Sequence, residues 1–344
     1  MEKQNKKGAV RDSNIELARI VAMLMILALH AFNNYYWSGL SDQVSVKDTV
    51  AILGEAFTSC AVGLFVFISG WFGIKPKAKS IANLVFQVVF YGLAIFLVVS
   101  AIKGSVQWKG LKEALLLSDS LWFMKSYFLL YILSPVLNSF VEKADKRQYQ
   151  IVLVAFFLFQ SIWGWTNTAE EFNYGLSAVF FIFMYLLARY MRLYPLKIME
   201  SSGVACMGVY CISALLAAAA LFVKHFYGII PLTEHMLMSY VSPFMVLCSV
   251  SLFFFFSKLH YRSKVINWIS ASCLSVYLIH ANSLVAPFYR SLAGNEYREG
   301  NYLMFVAVIV GVFLFCVAVD QVRRLLYNHT LGKISYDINR PSGL

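Results

Sequence analysis

Residues 14–32 read NIELARIVAMLMILALHAF, a stretch whose ionisable side chains are Glu16, Arg19 and His30 alone. As a helix rising about 1.5 Å per residue it would set His30 roughly 16 Å from Arg19, close to half a hydrocarbon layer. An imidazole at that depth is costly to keep, so a functional site is its default reading. One helix then carries a cation at one membrane face and a titratable group well inside.

The rest of the chain sets the same scene. Of 344 residues, 60% are hydrophobic and 14% charged, with a mean hydropathy of +0.66, whereas soluble globular chains carry about a quarter charged residues. The composition excludes a soluble domain and predicts an all-α, polytopic membrane protein. Apolar windows bounded by charged or turn-rich breaks fall near 15–36, 50–72, 81–102, 121–141, 149–165, 175–193, 203–223, 236–257, 265–288 and 301–322. These predict a bundle of ten transmembrane helices over 15–322, flanked by tails at 1–14 and 323–344. The first window is longer than a signal-peptide core and lacks a small-residue cleavage site, so it is expected to remain as an anchor.

Basic residues orient the bundle. With the N-terminus inside, twenty of the 29 Lys and Arg flank internal ends, seven flank external ends, and Arg19 and Lys125 lie within spans. This asymmetry predicts both termini in the cytoplasm. The net charge of +11 is therefore topological, and no cationic block interleaved with stacking aromatics suggests nucleic acid. Cys60, Cys206, Cys211, Cys248, Cys273 and Cys316 all fall in apolar windows without metal-ligand spacing, so neither a disulfide framework nor a metal site is expected. No Gly-rich phosphate loop or GxSxG elbow occurs. The chemistry must reside in the bundle.

Polar residues at membrane depth are the candidates. Glu16 and Arg19 are three apart, on one helix face, and can neutralise one another at the inner interface. In SLWFMKSYFLLYILSPVLNSF, residues 120–140, Lys125 and Tyr127 sit near the external face, where a lysine can also simply snorkel outward. In NWISASCLSVYLIHANS, residues 267–283, Tyr277 and His280 share a face at i and i+3. His30 and His280 each lie fifteen residues beyond their inner boundaries at Ile15 and Val265, so the two imidazoles are expected at similar depth. Glu55, entering from outside, joins them. Together these predict a polar cavity in the outer half of the bundle. At the opposite end, Ser69 and Gly70 interrupt AVGLFVFISGWFG, residues 61–73, as close helix packing or as part of an inner opening.

Four ordered pieces resemble the membrane acyltransferase 3 family. IELARIVAMLMILALH is similar to its first span, with an acidic residue, an arginine three on and a histidine eleven further, here Glu16, Arg19 and His30. AVGLFVFISGWF resembles its aromatic second span through Ser69 and Gly70, LWFMKSYFLLYILSPVLN is similar to its Trp-aromatic-x-Lys-x-Tyr segment through Trp122, Lys125 and Tyr127, and SVYLIH resembles its late Tyr-Leu-x-His segment through Tyr277 and His280. Two departures stand out: Glu16 where aspartate is commoner, and Gly63 where many members carry proline. No esterase-like domain is expected after the last span, a likeness to the short single-domain members.

The resemblance implies transfer of an acyl group, usually acetyl, from cytoplasmic acyl-CoA to a hydroxyl of an extracytoplasmic or lipid-linked carbohydrate, in the bacterial cytoplasmic membrane. The donor is a substrate, and no bound cofactor is implied. Arg19, with Glu16, Ser69 and Gly70, would receive it, since a planar guanidinium suits phosphate. His30 would be the base, imidazole being the side chain with an unperturbed pKa near neutrality. Lys125 or Tyr127 would stabilise the oxyanion, and Glu55, Trp122, Tyr277 and His280 would face the acceptor. A covalent acyl-histidine relay is a chemical alternative. The rival from another class is a secondary transporter of a lipid-linked or polymeric sugar, against which stands the absence of an internal repeat or matched interrupted helices.

Overall fold

The computed structural model describes residues 13–118, 120–166, 173–230 and 234–329. Residues 1–12 and 330–344, with Lys3, Lys6, Lys7, Arg11, Lys333 and Arg340 of the two tails, lie outside the described residues.

In a solvent that offers the backbone no hydrogen bonds, each segment must satisfy its own peptide groups, which an isolated strand cannot do. The described residues accordingly form helices and no strands. In chain order these are α1 (Asn14–Gly39), α2 (Val46–Thr58), α3 (Ala61–Phe72), α4 (Ala78–Lys103), α5 (Trp108–Ala114), α6 (Trp122–Lys143), α7 (Lys146–Thr166) and α8 (Ala178–Leu193). They continue as α9 (Gly203–Tyr227), α10 (Glu234–Met238), α11 (Pro243–Ser257), α12 (Lys264–Ser270), α13 (Cys273–His280), α14 (Ala286–Glu299) and α15 (Tyr302–His329).

Among the described residues, seven segments are long and apolar enough to cross a membrane: Asn14–Phe32, Val46–Phe72, Ala78–Lys103, Trp122–Lys143, Gly203–Tyr227, Met236–Ser257 and Tyr302–Tyr327. The three other sequence windows differ in kind. Window 149–165 is α7, which opens on the polar run KRQYQ. Window 175–193 holds the 16-residue α8. Window 265–288 is no continuous helix, but α12 and α13 of seven and eight residues, followed by a turn.

Side-chain hydroxyls tie the interruptions to neighbouring groups. Between α12 and α13, Ser270 Oγ donates to Glu16 at 2.5 Å and Ser272 Oγ accepts from Arg324 at 2.9 Å, tying the turn to other helices. Between α2 and α3, Ser59 Oγ donates to the Glu55 carbonyl at 2.8 Å, and Ser249 Oγ of α11 to the Cys60 carbonyl at 2.9 Å. Gly63 belongs to this joint, because a Cβ there would overlap Ser249 Oγ. Gly70 lets α3 and α8 meet backbone to backbone, since its Cβ would stand 2.7 Å from the Tyr185 carbonyl oxygen. In α6, Pro135 cannot donate to the carbonyl of Tyr131, and Ser134 Oγ does so instead at 2.8 Å.

Helix α1 is the axis of the assembly. It packs against α2, α3, α11, α12, α13, α14 and α15, with Ala18, Ala22, Leu27 and Ala31 wholly buried. Small residues on such a face let neighbouring helices approach closely where no hydrophobic force drives them together. The outer faces of α4 and α15 stay apolar and exposed at Leu97, Val98, Ile102, Leu303 and Phe315, as lipid contact requires.

Candidate active site

The two imidazoles expected at similar depth are in contact. His30 Nδ1 of α1 lies 3.0 Å from His280 Nε2 of α13, and the second nitrogen of His280, Nδ1, lies 2.7 Å from the Val276 carbonyl oxygen. A carbonyl can only accept, so Nδ1 of His280 carries a hydrogen. In the neutral ring Nε2 then holds a lone pair and accepts from the Nδ1–H of His30. The chain of bonds fixes the tautomer: His30 keeps a lone pair on Nε2. His280 is buried at the last turn of α13, whereas His30 is half-buried and lines a cavity.

The outer cavity, outer in lying farther along α1 from Arg19, has a volume of about 430 Å³ and is polar and aromatic, lined by His30, Glu55, Ser59, Trp122, Tyr174, Ser239, Tyr240 and Arg290 among others. Trp122 stacks on Tyr240 with centroids 5.9 Å apart, and the Tyr240 amide donates to the Tyr174 carbonyl at 3.1 Å. The backbone around it is strained. Leu121, preceding Trp122, has φ 54°, and Asn173 and Tyr174 have φ 31° and 54°, a region that costs a non-glycine residue about 1–3 kcal/mol and persists where the surroundings enforce it.

A second cavity, of about 320 Å³, lies nearer the N-terminal end of α1. Arg19, Glu16, Ser69, Tyr127, Ser270 and Tyr277 supply its polar groups, while Met23, Ile26, Phe65, Leu84, Phe123 and Leu274 make most of its wall apolar. Arg19 Nη1 donates to Glu16 at 2.6 Å, and Glu16 also accepts from Ser270. Glu16 is buried and Arg19 half-buried. The pair therefore presents directed hydrogen-bonding groups with little net charge. Both cavities border α1, at residues 16–26 and 29–30 respectively. Phe123, packed on Tyr277 at 5.3 Å and on Phe181 at 5.1 Å, stands with Trp122 between them.

The cluster read from sequence is thus split in two. His30, His280, Glu55 and Trp122 meet in or beside the outer cavity. Tyr127 and Tyr277 line the inner one, where Tyr127 OH lies 3.4 Å from Ser69 Oγ. Lys125 borders neither and donates to the Ser118 carbonyl at 2.6 Å. The reason is geometric: positions i and i+2 of a helix face apart, so Lys125 and Tyr127 cannot serve one point. Gly70 acts by packing, and Ser69 by facing the inner cavity.

Several polar residues escaped the sequence reading. Asp320, wholly buried, accepts from Tyr91 (2.7 Å), Ser275 (2.6 Å), Arg323 (2.7 Å) and Arg324 (2.8 Å), joining α4, α13 and α15. The signal was a carboxylate in an apolar window with arginines at i+3 and i+4. Glu113 of α5, also buried, accepts from the Ser283 amide through both oxygens at 2.9 Å and anchors the turn after His280. Arg290 and Tyr240 reach the outer cavity with no local signal at all.

A bundle of apolar helices with paired histidines and polar cavities in its interior defines a helical membrane protein that holds its chemistry within the bundle. Residues 12–320 match the family model described as an acyltransferase domain, and the chain belongs to the acyltransferase 3 family of membrane acyltransferases. No curated protein and no solved structure matches it.

Proposed function

We propose that the protein moves an acyl group, acetyl in the simplest case, from cytoplasmic acyl-CoA to a hydroxyl of an extracytoplasmic or lipid-linked carbohydrate. The observation that carries this reading is the His30–His280 contact at 3.0 Å, which leaves Nε2 of His30 as a lone pair at the outer cavity. In the ten-span topology of a bacterial cytoplasmic membrane, with both termini inside, the Arg19 end of α1 is cytoplasmic and the outer cavity faces the acceptor.

The acceptor hydroxyl donates its proton to His30 Nε2 while its oxygen attacks the thioester carbonyl. The tetrahedral intermediate collapses as the C–S bond breaks, and the imidazolium returns the proton to the thiolate. While His30 is charged, its Nδ1–H bond to His280 becomes charge-assisted and roughly twice as strong as a neutral one. His280 contributes most when charge develops, which is the condition for lowering a barrier. Tyr240 and Arg290 border the same cavity and are better oxyanion candidates than Lys125, which does not line it and donates to the Ser118 carbonyl. Trp122, Tyr174 and Tyr240 offer ring faces to a sugar, and Glu55 an acceptor for its hydroxyls.

The test is release of CoA thiol by protein purified in detergent, dependent on added acceptor glycan, with the acyl mass increment found on the acceptor. Acceptor movement across proteoliposomes with no CoA released would replace this reading by transport.

A further inference from the structure

A cationic cleft of about 430 Å³ lies between α4 and α15, lined by Lys79, Ser80, Asn83, Arg323, Arg324 and Tyr327. It shares a wall with the inner cavity. Asn83 faces the cleft and its neighbour Leu84 the cavity, while Arg324 Nη2 donates to Ser272 Oγ, between the cavity-lining Ala271 and Cys273.

Snorkelling alone does not produce this arrangement. The cleft carries three cations against one bonded carboxylate, Asp320, which is wholly buried and takes Nε of both arginines. Engagement through Nε holds each guanidinium against Asp320, and Arg324 is held further by the Trp268 carbonyl and Ser272 Oγ. Arg323 is itself buried, so its orientation is set by the fold. The adjoining inner cavity differs: Arg19 there is paired with Glu16, and the wall is mostly apolar. An elongated ligand with a polyanionic end and a thin, sparsely polar arm would place the anion in the cleft and the arm in the cavity.

We propose that the cleft formed by Lys79, Arg323 and Arg324 is a phosphate-binding site that anchors the nucleotide end of the acyl donor, with the pantetheine arm entering beside Ser272 toward Arg19. The assignment rests on the acyl-CoA reading above. It moves the phosphate clamp from Arg19 to α4 and α15, leaving Arg19 to hydrogen-bond the arm. The other source of phosphate at such a position is an anionic lipid headgroup.

Equilibrium binding of CoA, 3′-dephospho-CoA and pantetheine to detergent-purified protein tests this, with Lys79→Gln as the main variant because Lys79 is exposed and its replacement spares the packing. The wild type should bind CoA more tightly than pantetheine. Lys79→Gln should weaken CoA on the order of tenfold, the loss of one charge-assisted bond, and leave pantetheine unchanged. Lys79→Arg should retain CoA binding. Equal weakening of CoA and pantetheine, or no weakening of either, overturns the proposal. So does unchanged CoA binding together with loss of co-purified phosphatidylglycerol in native mass spectrometry, which assigns the cleft to lipid. Wild-type protein that binds pantetheine as tightly as CoA refutes the cleft alone, whereas protein that binds none of the three refutes the acyl-CoA reading with it.

Discussion

Replacing His280 separates its role from that of His30. His280→Ala removes the acceptor 3.0 Å from His30 Nδ1, so nothing holds the tautomer with its lone pair at the outer cavity, and the imidazolium loses its charge-assisted bond. Such a bond is worth about 1.5–3 kcal/mol, which converts to a fall in kcat of roughly ten- to a hundredfold. His30→Ala deletes the base and should cost about a hundredfold or more. His280→Gln places an amide oxygen near the position of Nε2 and should recover most of the His280→Ala loss. His30→Gln should recover nothing, because an amide takes no proton at neutral pH. The assay is acceptor-dependent thiol release at saturating donor, with donor binding measured separately to show that each variant is folded. If His280→Ala turns over normally, the positioning role is wrong. If it is inactive while His30→Ala is nearly normal, the base lies on α13 and the roles are reversed.

Arg19→Lys keeps the charge but loses the planar fork that meets Glu16 at 2.6 Å, so KM for the acyl donor should rise with kcat little changed; unchanged KM in a normally inserted variant removes Arg19 from donor binding. Asp320→Asn leaves Arg323 and Arg324 without their buried counter-charge and should destabilise the protein by about 3–5 kcal/mol, read as a lowered melting temperature in detergent; an unchanged melting temperature contradicts a structural role for the network. For topology, cysteines placed at Lys146 and Arg262 should resist a membrane-impermeant thiol reagent in intact cells, and those at Lys109 and Arg298 should react. Labelling at position 146 would break the ten-span arrangement.

Much of this protein is legible in its sequence because lipid is a demanding solvent. Length and hydropathy alone dictate helices, and the cost of an ionisable group in hydrocarbon picks out Glu16, Arg19, His30 and His280. Equal offsets from their span boundaries placed the two histidines at one depth, and α1 and α13 bring them to 3.0 Å. Depth is a one-dimensional coordinate, and sequence measures it well. Direction around a helix and contact between helices are not. Lys125 and Tyr127 share a depth but face apart, one to the Ser118 carbonyl and one to the inner cavity. The window at 265–288 has the composition of a span. It breaks at Ala271–Ser272, where Ser270 donates to Glu16 and Arg324 donates to Ser272 from distant helices. Asp320 looks like a flank of cytoplasmic arginines until Tyr91 and Ser275 arrive from α4 and α13. Sequence picked out Glu16, Arg19, His30 and His280 as groups at membrane depth, since that follows from local transfer free energy. Tertiary structure decided which of them meet, since that follows from packing between segments far apart in the chain.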